Sequence, residues 1–430
     1  MRSVTRPSRA RAHVTSLVFA TLVAACANPD SSGTPATTDA TLFEGARVIV
    51  GDGTVIENGA FVVENGRFTT VGQSGAITLP EGTPRVDLTG KTVMPAIVNT
   101  HVHLGSTRDG LVGQLQHYAY YGIGTVQSLG LDTAAVTREM RNEEIPDAAR
   151  YLAAGRGITM PEPGRNESPH WVTTVEEARS AVQQLAEQDV RFVKIWVDDR
   201  NGQYQKLTPE LYGAVIDEAH RHDQRVAAHI FALEDAKGLL RAGIDAFAHS
   251  VRDADIDEEG MTLFRERPNV VLIPNLPDRG VAADLSWLAG TVPAAQLQEL
   301  QAGSTDRPEG QQRFAVQGRN LARLSDAGTR IAMGTDGSVP WAAHLEMEDM
   351  VASGMTPAQV IVAATRNGAD LLRLSDVGAV QAGMSADFLV LDANPLDDIT
   401  NTRGIDAVYL RGVAVDRSGI GARLVGAGGS

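Results

Sequence analysis

Apolar residues in the middle of the chain fall into short, nearly unbroken runs: Val93–Asn99, Gly124–Leu129, Tyr151–Ala154, Phe192–Val197, Val226–Ile230, Ala246–His249, Val270–Ile273 and Ile331–Met333. Runs of this length, bounded by polar turns, suit strands buried on both faces. Between most of them apolar positions recur with helical period, as in Thr174–Gln188, Pro209–His222, Leu233–Ala242, Gln311–Ala327 and Pro357–Leu372. Thr174 with Glu177 forms a capping-box pattern, and Thr208-Pro209 puts proline at a first helical position. Residues 41–90 read differently, as β-type runs broken by Gly51-Asp52-Gly53 and Glu64-Asn65-Gly66, which are hairpin signals. The end of the chain returns to that character at Asp387–Leu391 and Ala407–Leu410, with Arg411-Gly412 as a turn.

Strands alternating with helices across 93–379 predict an α/β fold, a catalytic (β/α)8 TIM barrel. An open doubly wound sheet would also alternate, but no Gly-x-Gly-x-x-Gly follows the first run. The two β-rich ends, 41–92 and 380–430, predict a small β-sandwich domain built from both termini.

Composition narrows the class. The chain has 430 residues, 43% apolar and 21% charged, as a globular protein does. A formal charge of −15 argues against a nucleic-acid partner, which would call for clustered Lys and Arg. Residues 1–25 stand apart, with Arg2, Arg6, Arg9 and Arg11 ahead of an uncharged run from Val14 to Ala25. That run is too short to span a bilayer and is the size of a signal-peptide core. The chain's only cysteine, Cys26, follows Leu22-Val23-Ala24-Ala25, which resembles a bacterial lipobox. The resemblance implies an exported, periplasmic protein held at a membrane surface by a lipid on Cys26, with 26–40 as a flexible tether. A plain secretory signal cut nearby is the alternative. One cysteine permits no intramolecular disulfide.

Four of the ten histidines, His101, His103, His229 and His249, lie at the carboxyl ends of predicted strands, where barrel enzymes keep their reactive groups. His101 and His103 are two apart, so an extended backbone points both to one face. Paired imidazoles are poor core filling and good metal ligands. Lys194 sits inside Phe192-Val193-Lys194-Ile195-Trp196-Val197, where a bare ammonium is costly to bury. It either snorkels outward or is a neutral amine that captures carbon dioxide as a carbamate able to bridge two cations. Asp336, in Gly334-Thr335-Asp336, ends the last strand as a helix cap or a ligand. His170, His344, Asn275 and Arg279 fall in predicted active-face loops and are candidates for substrate contact. Arg279 could take a carboxylate bidentately. The segment Ala282–Gly303 is a long insertion that could serve as a lid.

Val93-Met94-Pro95-Ala96-Ile97-Val98-Asn99-Thr100-His101-Val102-His103 resembles the opening signature of the amidohydrolase superfamily. Gly334-Thr335-Asp336 and Ala386-Asp387-Phe388-Leu389-Val390-Leu391-Asp392 resemble its eighth-strand and closing signatures. The likeness spans roughly 41–420 and is nearest to the imidazolonepropionase-like and prolidase-like branch. It implies that His101, His103 and Asp336 bind a buried metal, that His229 and His249 bind a second, and that carboxylated Lys194 bridges them. The lead-in Pro95-Ala96-Ile97-Val98-Asn99 departs from the usual Pro-Gly-hydrophobic-hydrophobic-Asp, but precedes the ligands. Deaminase branches carry His-x-x-Glu on the fifth strand; here Ala232 stands three after His229. Imidazolonepropionases use one metal and lack the bridging lysine, so Lys194 argues against that activity itself.

The expected chemistry is hydrolysis of an amide-type C–N bond in a small-molecule substrate: a dipeptide, an N-acyl amino acid or a cyclic amide. Two divalent cations, zinc by ligand type, would share a bridging water and bring its pKa from 15.7 to about 7. Asp336 would take the proton and return it to the leaving nitrogen. The same site could cleave an ester, lactone or phosphoester, and a non-catalytic metal- or ligand-binding surface lipoprotein is the reading of another class. The sequence leaves a homo-oligomer open.

Overall fold

A computed structural model describes residues 40–426. The predicted leader, Cys26 and most of the predicted tether lie outside the described residues. The chain opens with β1 (Thr41–Ile49), β2 (Val55–Glu64), β3 (Arg67–Gln73), β4 (Arg85–Asp87) and β5 (Thr92–Pro95). The central strands are β6 (Ile97–Val102), β7 (Ile123–Ser128), β8 (Arg150–Ala153), β9 (Ile158–Thr159), β10 (His170–Trp171), β11 (Phe192–Val197), β12 (Arg225–Ile230), β13 (Ala246–Ala248), β14 (Val271–Ile273) and β15 (Arg330–Ile331). β16 (Phe388–Leu391), β17 (Ile405–Leu410) and β18 (Val413–Ala414) close the chain.

The two ends do share a sheet. Its order is β18-β17-β16-β5-β1-β2-β3, with β4 also on β1. It is one ladder of eight strands where a two-sheet sandwich was expected. Asn65 (φ +52°) and Gly66 (φ +74°) make the turn between β2 and β3, as an Asn-Gly pair at left-handed dihedrals should. Phe43 and Phe61 from one end of the chain stack at 5.0 Å, Phe388 and Tyr409 from the other at 4.5 Å, and Phe43 meets Phe388 edge-on at 5.3 Å. That interlock of rings ties the termini together.

The middle has a TIM-barrel-like α/β fold. Its parallel strands fall in two ladders, β6-β7-β8 and β10-β9-β11-β12-β13-β14-β15. One chain segment carries both β8 and β9, so it links the ladders on one side. On the other, Thr100 N–H donates to the Met333 carbonyl (3.0 Å) and His103 N–H to that of Gly337 (3.1 Å), bringing β6 beside the residues that follow β15. Helices alternate with these strands, and most bury an apolar stripe, although Ala294–Gly303 buries no residue. In Val175–Glu187 the buried positions are Ala178, Ala181, Val182 and Leu185, and Thr174 and Glu177 cap its start reciprocally. The first apolar run, read as one strand, is two: β5 belongs to the terminal sheet and β6 to the barrel, with only Ala96 between them. A change of sheet leaves no mark in a run that is apolar on both sides.

Candidate metal centre

β6 is buried at every position, and so is β11, which carries Lys194. β6, β11, β12, β13 and β15, with the residues that follow them, deliver the six predicted ligands to one place. His103, Lys194, His229, His249 and Asp336 line a cavity of about 180 Å³ together with Leu131, Arg165, Asn166, Trp196 and Arg200. His101 lies at its floor, fully buried. Its Nε2 is 3.1 Å from Asp336 Oδ1 and 3.5 Å from Lys194 Nζ. His103 Nε2 is 3.0 Å from Asp336 Oδ1, and His249 Nε2 is 3.2 Å from Oδ2. The His229 and His249 rings are 4.7 Å apart.

The proton inventory of this cluster fits a cation. Asn275 Oδ1 lies 2.9 Å from His101 Nδ1, so the ring donates its proton there and turns the Nε2 lone pair inward. Burial lowers His101 to about 4 and His249 well below its ordinary value, so neither ring carries a spare proton at neutral pH. Burial works against ionisation of Asp336, but His101, His103 and His249 outweigh it and hold the carboxyl well below its usual range. A carboxylate and an imidazole lone pair 3.1 Å apart repel unless a positive ion lies between them. One donor atom each from His101, His249 and Asp336 falls within a 4.8 Å span, as a metal requires.

The backbone is bent to achieve this. His249 (φ +123°), Asn275 (φ +45°) and Asp336 (φ +51°) all lie at positive φ, a conformation that costs non-glycine residues energy and that clusters at functional sites. Gly130 (φ +100°) faces Lys194: a Cβ there would come within 2.7 Å of Lys194 Cγ. Lys194 is buried, and desolvation brings its amine from 10.5 to about 7.

His229 has different company from that expected. Its Nε2 lies 2.9 Å from Asp198 Oδ2 and 3.0 Å from Arg200 Nη1, and Arg200 also pairs with Asp198 (2.7 Å) and Glu162 (3.0 Å). Sequence reasoning missed Asp198, Arg200 and Glu162. The signal available was Asp198-Asp199-Arg200, a charged triplet directly after an apolar strand that carries a predicted ligand.

Two candidate substrate residues turn out to hold other parts of the protein. Asn275 orients His101. Arg279 is paired with Glu348 and with Asp349 (2.6 Å) in a separate cavity of about 650 Å³. His344 is not in a loop but in the helix Ala342–Ala352, buried, with Nδ1 3.0 Å from Thr402 Oγ1 and Nε2 3.0 Å from the Tyr121 carbonyl, which leaves nothing for a ligand. His170 is in β10 rather than a loop, half-buried, its backbone N–H donating to the Gly157 carbonyl at 2.7 Å. The insertion expected as a lid contains a short 3-10 turn (Ser286–Leu288) and the helix Ala294–Gly303. Leu288 is fully buried and Trp287 stacks under Arg403 at 4.6 Å, so this segment is anchored at that end.

Comparison with known proteins supplies the family. Residues 92–415 match the amidohydrolase family. The imidazolonepropionase of Streptomyces coelicolor is 28% identical over 362 residues, covering 79% of this chain and 86% of that one. A candidate prolidase from Bifidobacterium longum superposes with a TM-score of 0.73 at 28% identity, covering 91% of this chain and 99% of the other. A Xaa-Pro dipeptidase crystallised with methionine in its active site superposes at 0.70 with 23% identity, over 87% and 99%. A match over most of the chain, together with the His, Lys and Asp set gathered at one rim, places this protein in the amidohydrolase family of hydrolases.

Proposed function

We propose that the protein is a binuclear metal-dependent hydrolase of amide-type C–N bonds, acting on a dipeptide, an N-acyl amino acid or a cyclic amide. The observation that carries the reading is the convergence of three imidazole Nε2 atoms on the two oxygens of Asp336, with Lys194 beside them. His101, His103 and Asp336 would hold one cation and His229 and His249 a second, with a carbamate on Lys194 between them. When bound, the cations, zinc by ligand type, supply Lewis acidity that ionises water near neutral pH and polarises the carbonyl. The rest falls to the chain itself. Asn275 fixes the His101 tautomer. Asp336, flanked by three imidazoles, accepts a proton at a carboxylate oxygen and delivers it to the departing nitrogen. Trp196, buried, and Leu131, half-buried, line the cavity and limit the access of bulk water. For a second cation, His229 must give up its contacts with Asp198 and Arg200.

Support for the bond type comes from the prolidase and dipeptidase neighbours and from Ala232, which stands where deaminases would need a glutamate. The leader and Cys26 support export and lipid anchoring. The test is metal stoichiometry by elemental analysis on the mature protein, run with a panel of dipeptides, N-acyl amino acids and cyclic amides against lactones and aryl esters. Two equivalents of metal and turnover confined to amides are expected. Stoichiometric metal with only ester turnover would replace the bond assignment, and no metal uptake would end the reading.

A further inference from the structure

With Asn275 and Arg279 both engaged elsewhere, the question of what receives the polar end of a substrate passes to the arginines around the metal cavity. Arg165 and Arg200 line it, but both are bound by Glu162, and Asp198 binds Arg200 again. Two acids thus balance two bases. A third arginine, Arg252, stands three residues beyond the ligand His249. Its N–H donates to the Phe231 carbonyl at 2.9 Å, which pins the loop after β13 to the loop after β12. Phe231, two residues past the ligand His229, is a large apolar side chain left 39% exposed there.

The side chain of Arg252 has no hydrogen bond or ion pair among the described residues, and its Nε is buried without a partner. It lies in the field of Asp336 and Asp198, yet those carboxylates are already taken by His101, His103 and His249, and by Arg200 and His229. A guanidinium stays charged and presents its donors in a rigid fork. A buried Nε–H with nothing to accept it is unfavourable, and the two Nη groups, which are not buried, can receive a carboxylate end-on as a pair. What the site lacks is an anion.

We propose that Arg252 binds the free carboxylate of the substrate, so that the substrates are acids: N-acyl amino acids or dipeptides whose carboxylate lies near the scissile amide, with Phe231 as an apolar wall beside it. This rests on the amide-hydrolase reading and narrows it. Neutral cyclic amides become poor substrates, and discrimination resides in one residue that is not a metal ligand.

The test uses the zinc-loaded protein and its Arg252→Met and Arg252→Lys variants on matched pairs, each N-acyl amino acid or dipeptide beside its own C-terminal carboxamide. Wild type should favour the acid by roughly a hundredfold in kcat/KM, Arg252→Met should bring that ratio close to one with its metal content retained, and Arg252→Lys should restore part of it. Equal wild-type rates on acid and carboxamide, or a ratio that Arg252→Met leaves unchanged, would overturn the proposal. If wild type hydrolyses neither panel, the amide-hydrolase reading fails first, and calorimetric binding of the same acids decides this inference alone. Affinity about tenfold weaker in Arg252→Met supports it, and equal affinity overturns it.

Discussion

At the scale of single residues the proposed metal site depends on protons being absent where the cation would sit. Lys194 shows it most directly. Its amine, brought to about 7 by burial, is largely free at pH 8 and largely protonated at pH 6. Only the free amine traps carbon dioxide, so reconstitution of metal-free protein with zinc and bicarbonate should reach full loading at pH 8 and stall near pH 6, read by metal content. Lys194→Ala should lose the second equivalent of metal and about a thousandfold in turnover at either pH; near-normal content would exclude a bridged pair. Asn275 acts one step back. Asn275→Ala frees the His101 ring to adopt either tautomer, and metal affinity should fall by roughly ten- to a hundredfold, measured by competition with a chelator.

Between elements, the packing that aims these groups was unevenly visible in the sequence. Gly130 lets the chain pass against Lys194, so Gly130→Ala should displace the lysine and lower both metal content and Tm. Arg150, at the start of β8, clamps Asp376 at 2.7 and 2.9 Å. Those hydrogen bonds lower the Asp376 pKa, with burial opposing them. A lowered carboxyl pKa stabilises the fold above the unfolded value of about 4, and that benefit disappears as pH falls through the folded value. Asp376→Asn should therefore cost about 2 kcal/mol at pH 7 and progressively less below pH 4, followed by thermal melts across pH. The helix Leu233–Ala242 could be read to the residue, since its stripe is regular and Gly243 ends it at φ +91°. The Pro357–Leu372 pattern could not be read as two helices, because the break at Thr365 (φ −131°, ψ −88°) lies within a run still apolar on one face. His344 misled for a similar reason: its distance from Asp336 suggested a loop, and only the packing of Trp341, Tyr121 and Trp287 shows a buried helix. The six predicted ligands stood out in the sequence because histidines at strand ends and a lysine inside an apolar strand are costly unless used. Arg252 and Asp198 were not, since charged residues in loops need no explanation until their partners are known.

For the molecule as a whole, the described chain from residue 40 onward belongs to a single compact unit, and its terminal sheet and barrel share an apolar core that includes Ile49, Met94, Leu389 and Leu410 with Val126 and Tyr118. Calorimetry of the metal-free protein should accordingly show one unfolding transition rather than two. None of the described helices is long and apolar enough to cross a membrane. The proposed lipid anchor has its own test: Cys26→Ser should move the protein from the membrane to the soluble fraction.

The passage from β5 to β6 through Ala96 has a further consequence. β5 is gripped on both sides, with Val48 opposite Val93 and Phe388 opposite Pro95, so its register is fixed before the chain enters the barrel. Side chains alternate along the extended strand, and losing one residue at Ala96 would swing the imidazole of His101 in β6, and that of His103 just after it, to the opposite wall. A sheet assembled from the first and last stretches of the protein thus sets the aim of a chemistry to which it contributes no side chain.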